Sequence, residues 1–295
     1  MTTATIYATS RIKKRIRATR AAMEERRESV AEIVAEITPC TVRQVFYQAS
    51  VRGVVVKTEE GYGKVQRILV EMRRKGAIGY SDIVDNTRWM RKPKTFNSLQ
   101  DALDHTAAFY RRSLWTDADD YVEVWLEKDA LAGVIYPITH KWDVPLMVAR
   151  GYASLSFLAT AAEAIAEQDR PAYIYHLGDF DPSGVNAGEK IEETLHELAP
   201  ESQINFERIA VNADQIQAWA LPSRPTKSSD SRAKKFGHAE SVELDAIHPD
   251  DLRTLVEDVI LQHIDEHEIT VIKTAEESER KILTAFAIGQ QGGAP

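Results

Sequence analysis

Residues 173–190 read YIYHLGDFDPSGVNAGEK, an apolar run that ends in two aspartates one residue apart, directly before Pro-Ser-Gly. The run is short, and its aromatic and β-branched residues suit a strand. Pro182 and Ser183 suit a helix start immediately after it. A strand that turns straight into a helix is half of a βαβ unit, so the neighbouring text decides the fold. It repeats the pattern. YVEVWL (121–126), PLMVAR (145–150) and INFERIAV (204–211) are runs of the same type, separated by helical segments that begin near Asp129, Leu155 and Val185. Such alternation predicts an α/β domain with a mostly parallel, Rossmann-like sheet covered on both faces.

In open parallel sheets, ligands bind beyond the carboxyl ends of the strands. Two acidic motifs stand there. Glu127 follows the first strand in YVEVWLEKDA, and Asp179 and Asp181 follow the third. Side chains alternate along extended backbone, so the two aspartates point one way and Phe180 the other. Like charges so close repel unless a hard cation lies between them, and magnesium takes a few carboxylates along with waters and substrate phosphates. Free N–H groups at a helix start would welcome phosphate. The same Asp-x-Asp before Pro also suits a plain turn in which one aspartate caps the helix. Glu123 with Glu127, and Glu243 with Asp245, are weaker acidic pairs; the second pair alternates along a strand and could face the same site, but a solvated strand edge is its expected home.

The front of the chain has a different period. Val30, Ile33, Val34 and Ile37 recur at helical spacing, and Thr38 and Pro39 stop that helix. Thr41 suits the N-cap of VRQVFYQASVR, whose stripe is Val42, Val45, Phe46 and Ala49 and which Gly53 closes. KVQRILVEMRRKG (64–76) follows with Val65, Ile68, Leu69 and Met72 on one face, and AIGYSDIVDNTRWMRKP (77–93) reads as a hairpin. Three helices and a hairpin predict a winged helix with residues 64–75 as its recognition helix. The expected organisation is a basic helical arm (1–28), a winged helix (29–95), a linker carrying a helix (96–118) and the α/β domain with a C-terminal extension (119–295).

Charge supports that division. The net charge of −8 hides 20 Lys and Arg against 10 Asp and Glu up to residue 98, and 17 against 35 beyond it. A basic front is the footprint of a polyanion-binding module, although a solvated basic surface has the same composition. Lys64, Arg67, Arg73, Arg74 and Lys75 on the third helix, and Arg88, Arg91, Lys92 and Lys94 on or after the hairpin, are the candidate phosphate contacts. Arg224, Lys227, Arg232, Lys234 and Lys235 form the one basic island of the acidic half. Arg43 and Tyr47 stand four apart on one helix and share a face. A guanidinium beside a phenol would favour the phenolate and let Tyr47 attack a phosphodiester; a tyrosine after a phenylalanine in an amphipathic helix is also an ordinary core residue. The single cysteine, Cys40, rules out a disulfide framework and a Cys-rich zinc site. With no run long enough to span a bilayer and no apolar leader, a cytoplasmic protein is expected.

GDFDPSG with the upstream EVWLEKDA resembles the Toprim domain of topoisomerases, bacterial primases and some nucleases. TVRQVFYQAS resembles the catalytic-tyrosine region of the topoisomerase VI A subunit and the related transesterase of meiotic double-strand breaks, with Arg43, Phe46 and Tyr47 matching. The order, winged helix then Toprim, is also that family's, and the resemblance covers about Ser29 to Ile260. It implies Tyr47 as the nucleophile that links to a DNA 5′ end, Arg43 as its assistant, and Glu127, Asp179 and Asp181 as ligands of magnesium. Glu127 would serve either as a ligand or as an acid/base group. It also implies a homodimer in which the tyrosine of one subunit meets the metal of the other, cutting duplex DNA. No Gly-rich nucleotide loop is present, so strand passage would need a separate ATPase subunit. Toprim nucleases of plasmid and phage defence share the two domains and hydrolyse DNA without relying on a tyrosine. A winged-helix DNA-binding protein with an inactive Toprim domain is the third expectation.

Overall fold

The computed structural model describes residues 19–84, 93–227 and 230–289. Most of the expected arm, and Arg88, Arg91 and Lys92 of the expected wing, lie outside that range.

Three helices open the fold: α1 (Arg20–Ile37), α2 (Val42–Val51) and α3 (Glu59–Arg74). Thr41 caps α2 through a capping box with Gln44, because its hydroxyl and the Gln44 amide satisfy the first free backbone donors reciprocally. The helical stripes read from the sequence meet in one core. Val30, Ile33, Val34 and Ile37 of α1 pack with Val45, Phe46 and Ala49 of α2 and Val65, Leu69 and Met72 of α3, while Val42 and Ile68 are partly buried at its edge. Thr58 caps α3 six residues before Lys64, so the basic helix is longer than its apolar spacing suggested.

The expected hairpin is not formed over 77–84, and residues 85–92 lie outside the described residues. Asp82 accepts from the backbone N–H of Gly79 at 2.6 Å and folds the segment into a turn. Ile83 then makes a single parallel bridge to Cys40, next to the α1–α2 connection. The backbone groups that a wing strand would offer are spent on that connection instead.

The stretch expected as a linker carries α4 (Leu99–Phe109), which docks on the C-terminal helix through Tyr110, Arg112, Glu279 and Arg280. After it the chain alternates: β1 (Tyr121–Leu126), α5 (Ala132–Lys141), β2 (Leu146–Val148), α6 (Leu155–Ala166), β3 (Ala172–Leu177), α7 (Pro182–Leu198) and β4 (Ile204–Ala210). The four strands are parallel in the order β2-β1-β3-β4. Then come α8 (Ala213–Ala218), β5 (Arg224–Pro225), α9 (Ala233–Phe236), β6 (Glu240–Ser241), α10 (Pro249–Leu261) and α11 (Glu266–Gly289), with β5 and β6 as a short antiparallel pair.

Both faces of the sheet are covered, as the unbroken apolar runs require. Val122, Val124 and Leu126 of β1 and Tyr175 and Leu177 of β3 face α5 and α10. Trp125, Ala172 and Ile174 face α6 and α7. Glu123, on the second face, is fully buried and accepts from Tyr121 Oη and Trp125 Nε1, each at 2.7 Å. That makes it a structural carboxylate, committed to two neighbours on its own strand. Among the described residues no helix is long and apolar enough to cross a membrane.

Candidate active site

The strand order places a reversal between β1 and β3. From β1 the chain moves to β2 on one side, and from β3 to β4 on the other, so a crevice opens at the carboxyl ends of the two central strands. Glu127 leaves β1 at that edge, and Gly178 to Asp181 leave β3 beside it. Glu127 Oε2 accepts from the Asp179 N–H at 2.9 Å and so joins the two strand ends directly. The approach is close enough to need glycines. A Cβ at Gly178 would lie 2.6 Å from Glu127 Oε2, and one at Gly184 would lie 2.4 Å from the Asp179 carbonyl oxygen. The glycines of GDFDPSG thus let the acidic loop fold under Glu127.

Asp181 is the N-cap of α7. Its Oδ1 accepts from the N–H groups of Ser183 at 3.0 Å and Gly184 at 2.8 Å, and Pro182 opens the helix. The first free donors of the helix therefore belong to the protein's own carboxylate. This corrects the expectation that they await a phosphate. Asp181 Oδ2 faces Arg224 at 3.5 Å. Asp179 Oδ1 accepts from the Leu244 N–H at 2.8 Å and pairs with Lys128 Nζ at 2.9 Å. Burial raises the affinity of Glu127 for a proton, and the charge of Asp179 raises it further. Burial likewise raises Asp179, against the pull of Lys128.

Beneath the loop lies Arg208 of β4, a buried guanidinium that the sequence reading passed over. It donates to the carbonyl oxygens of Gly178 at 2.7 Å and Asp179 at 2.6 Å, and to that of Val211 at 3.2 Å. Its charge also faces Glu127, Asp179 and Asp181. In INFERIA it stands directly after Glu207, a charge pair with nothing local to mark it as the buried partner of the loop. Buried beside it, His176 is held neutral: burial and then Arg208 push it down to about 3.

Glu243 and Asp245 correct another expectation. They lie in a bend that ends in a 3₁₀ turn (Leu244–Ala246), and neither is on a solvated strand edge: Asp245 is 2% exposed. Both turn toward Lys128, whose Nζ stands 2.7 Å from Asp245 Oδ2 and 3.5 Å from Glu243 Oε2. Burial alone would lower Lys128, but Asp245, Asp179 and Glu243 together hold it protonated. Burial would raise Glu243; Lys128, Arg43 and Arg224 overcome it and hold the carboxylate down at about 2.

Glu243 carries this network into the front of the chain. Arg43 of α2 pairs with Glu243, and the Thr41 hydroxyl meets Asp245 Oδ1 at 3.5 Å. Tyr47, on the same helix, points away from the three-helix core and is 5% exposed against the back half. It lines a cleft of about 330 Å³ with Arg43, Phe46, Lys57, Tyr62, Arg224 and Glu243. Lys57 Nζ sits 5.0 Å from the Tyr47 ring centre. Arg43 pulls the phenol toward its phenolate, as the sequence suggests, but it is outweighed. Burial raises Tyr47, Glu243 adds to that, and the opposing pull of Lys128 and Arg43 is weaker, so the phenol stays protonated.

The basic residues divide. Arg67, Arg74 and Lys75 line an open groove on α3 with Gln66, Val70 and Glu71, with Lys75 paired to Glu71 at 2.8 Å and Arg67 donating to the Gly63 carbonyl oxygen at 2.9 Å; Lys64 pairs with Glu60, and Arg73 donates to the Tyr80 carbonyl oxygen. Of the back island, Arg224 reaches the carboxylates, Arg232 pairs with Asp230 at 2.8 Å, Lys235 pairs with Glu189 at 2.6 Å, and Lys227 and Lys234 are exposed.

Among the described residues no three His, Cys, Asp or Glu side chains form a ready cage for a metal. The donor chemistry at the crevice nevertheless fits a hard cation. The groups are carboxylates only, and burial and mutual repulsion raise Glu127, a cost that a cation would relieve. No family model matches the chain, and no curated protein matches it either.

Proposed function

We propose that this protein breaks duplex DNA in a magnesium-dependent reaction, by tyrosine transesterification of the kind carried out by the topoisomerase VI A subunit. The observation that carries the reading is that Arg224 lines the Tyr47 cleft and also faces Asp181 at 3.5 Å, so one cation spans the candidate nucleophile and the candidate metal edge. Magnesium held by Glu127, Asp179 and Asp181 would supply Lewis-acid and phosphate-templating chemistry. Arg43, Lys57 and Arg224 suit the non-bridging oxygens of a phosphodiester lodged in the cleft. Tyr47 Oη then bonds to phosphorus as the P–O3′ bond breaks; the strand's 5′ end stays on Tyr47, and the 3′ oxygen leaves with the proton that the phenol gives up. Arg67, Arg74 and Lys75 on α3 would hold the duplex by its phosphates. Action as a homodimer on both strands, and a separate ATPase subunit for strand passage, belong to the same reading, which departs from the family pattern in using the tyrosine and the carboxylate edge of one chain rather than of two subunits.

A specific observation favours a second reading, hydrolysis by a metal-activated water as in a Toprim nuclease. Tyr47 is nearly buried and its phenol is held protonated, so attack by Tyr47 needs it to move toward the cleft. Incubation of supercoiled plasmid with magnesium decides between the two. Transesterification predicts DNA ends covalently bound to protein, and a Tyr47→Phe variant that neither cuts nor links. Normal cutting by Tyr47→Phe, lost in Asp179→Ala, overturns the tyrosine in favour of water. No cutting and no linkage by the wild type under any metal condition overturns both.

A further inference from the structure

Lys128 joins the metal edge to the turn gripping the tyrosine helix, more closely than Arg224, which meets Asp181 and Glu243 at 3.5 Å each. Its ammonium meets Asp179 at 2.9 Å, Asp245 at 2.7 Å and Glu243 at 3.5 Å. Asp179 belongs to the crevice, whereas Glu243 and Asp245 reach Arg43 and Thr41 at the start of α2. One cation thus serves two sets of carboxylates, and the side chain is largely covered, at 21% exposed. A surface lysine would be hydrated and its pairs nearly neutral in energy. Here the geometry fixes the ammonium; without it Asp179 would keep the Leu244 N–H and Asp245 the long Thr41 contact but no cation, while Glu243 would still have Arg43 and Arg224.

We infer that Lys128 is a built-in cation and positioning residue, which holds Asp179 until a divalent cation takes it and so couples metal binding to the placement of the Tyr47 helix. The inference rests on the magnesium reading above. Asp179 Oδ1 is shared between Lys128 and the Leu244 N–H. Two cations on one carboxylate repel, so a metal at Asp179 weakens the Lys128 contact. The ammonium keeps Asp245 and Glu243, and its attraction for them is then undivided. By reciprocity, whatever tightens Lys128 on the 243–245 turn favours the metal, and whatever ties it to Asp179 opposes the metal. A lysine with a purely structural role would change stability and leave metal affinity where it was.

The experiment measures binding of Mn²⁺ alone to the full chain, by electron paramagnetic resonance of the free ion, together with the melting temperature at each metal concentration. Lys128→Met should bind Mn²⁺ about tenfold more tightly than wild type, within the usual range of a coupling between sites, and its melting temperature should rise more steeply with metal. Lys128→Arg, which keeps the charge, should bind like wild type. If Lys128→Met does not fold, the charge-balanced double variant Lys128→Met/Asp245→Asn takes its place with the same expectation. Unchanged or weaker Mn²⁺ binding in a folded variant, beside measurable binding by wild type, overturns the inference and leaves the magnesium reading intact. Absence of binding in wild type and in every variant overturns the magnesium reading and the inference with it.

Discussion

Asp181 is asked to do two things, and one substitution separates them. Its Oδ1 caps α7 by accepting from Ser183 and Gly184, at 3.0 and 2.8 Å, while Oδ2 faces the crevice and Arg224. Asp181→Ala removes the cap, worth about 1 kcal/mol (~0.5–2). It also removes a negative charge at a helix N-terminus, worth roughly 0.3–1 kcal/mol. Asn is as good an N-cap as Asp, so Asp181→Asn keeps the first contribution and loses only the second. The Arg224 contact adds little to either figure, because Arg224 is 42% exposed and solvent screens it. The alanine variant should therefore lose about 1–3 kcal/mol and the asparagine variant less than about 1. At about 2–4 °C per kcal/mol, that is a melting temperature lower by roughly 5 °C for alanine and roughly 2 °C for asparagine. Calorimetry in metal-free buffer checks the stabilities. Mn²⁺ titration of the same samples should show weaker binding in both, because both lack the charge. An asparagine variant that melts as low as the alanine variant would refute the cap argument.

Two further outcomes follow from the buried groups around the loop. Arg208→Lys replaces a fork that serves the carbonyl oxygens of Gly178, Asp179, Gly184 and Val211 with a single ammonium of three N–H donors, leaving at least one of them without its cation; a loss of about 2–5 kcal/mol is expected in urea unfolding, and a loss below about 0.5 kcal/mol would contradict the stapling role. His176 is neutral in the folded chain, with its proton affinity lowered to about 3, whereas in the unfolded chain it protonates below the ordinary value of 6.5. Its contribution is present above pH 6.5 and is lost as the pH falls from there toward 3, by up to about 1.4 kcal/mol per pH unit. Glu243, held at about 2, adds its own loss only below its ordinary 4.5. Between pH 6.5 and 5 the decline should be visibly shallower in His176→Gln, and equal slopes in the two proteins would sink the assignment.

Much of the fold was written in local spacing. The α1 stripe Val30, Ile33, Val34 and Ile37 is the buried face of that helix, Thr41 caps α2, and the four runs chosen as strands are the four parallel strands. These features rest on periodicity and on caps a few residues long, which neighbouring residues settle among themselves. The hairpin expected over 77–93 is not formed in 77–84, the part that is described, because alternating polarity there says nothing about a better partner; residues 40 and 83, 43 positions apart, bridge instead.

For the candidate site, sequence alone determined that Glu127, Asp179 and Asp181 stand at strand ends, since a strand that stops in acids before a proline announces itself locally. Only the tertiary structure decided what those acids touch. Lys128 was next to Glu127 in plain view, yet its partners Glu243 and Asp245 lie more than a hundred residues away. Arg208 is on a different strand from the loop it holds. The burial that keeps Tyr47 protonated comes from the back half of the chain. Charge, desolvation and hydrogen-bond supply are properties of a place in space. A linear pattern names the groups that reach that place but not which of them pair there.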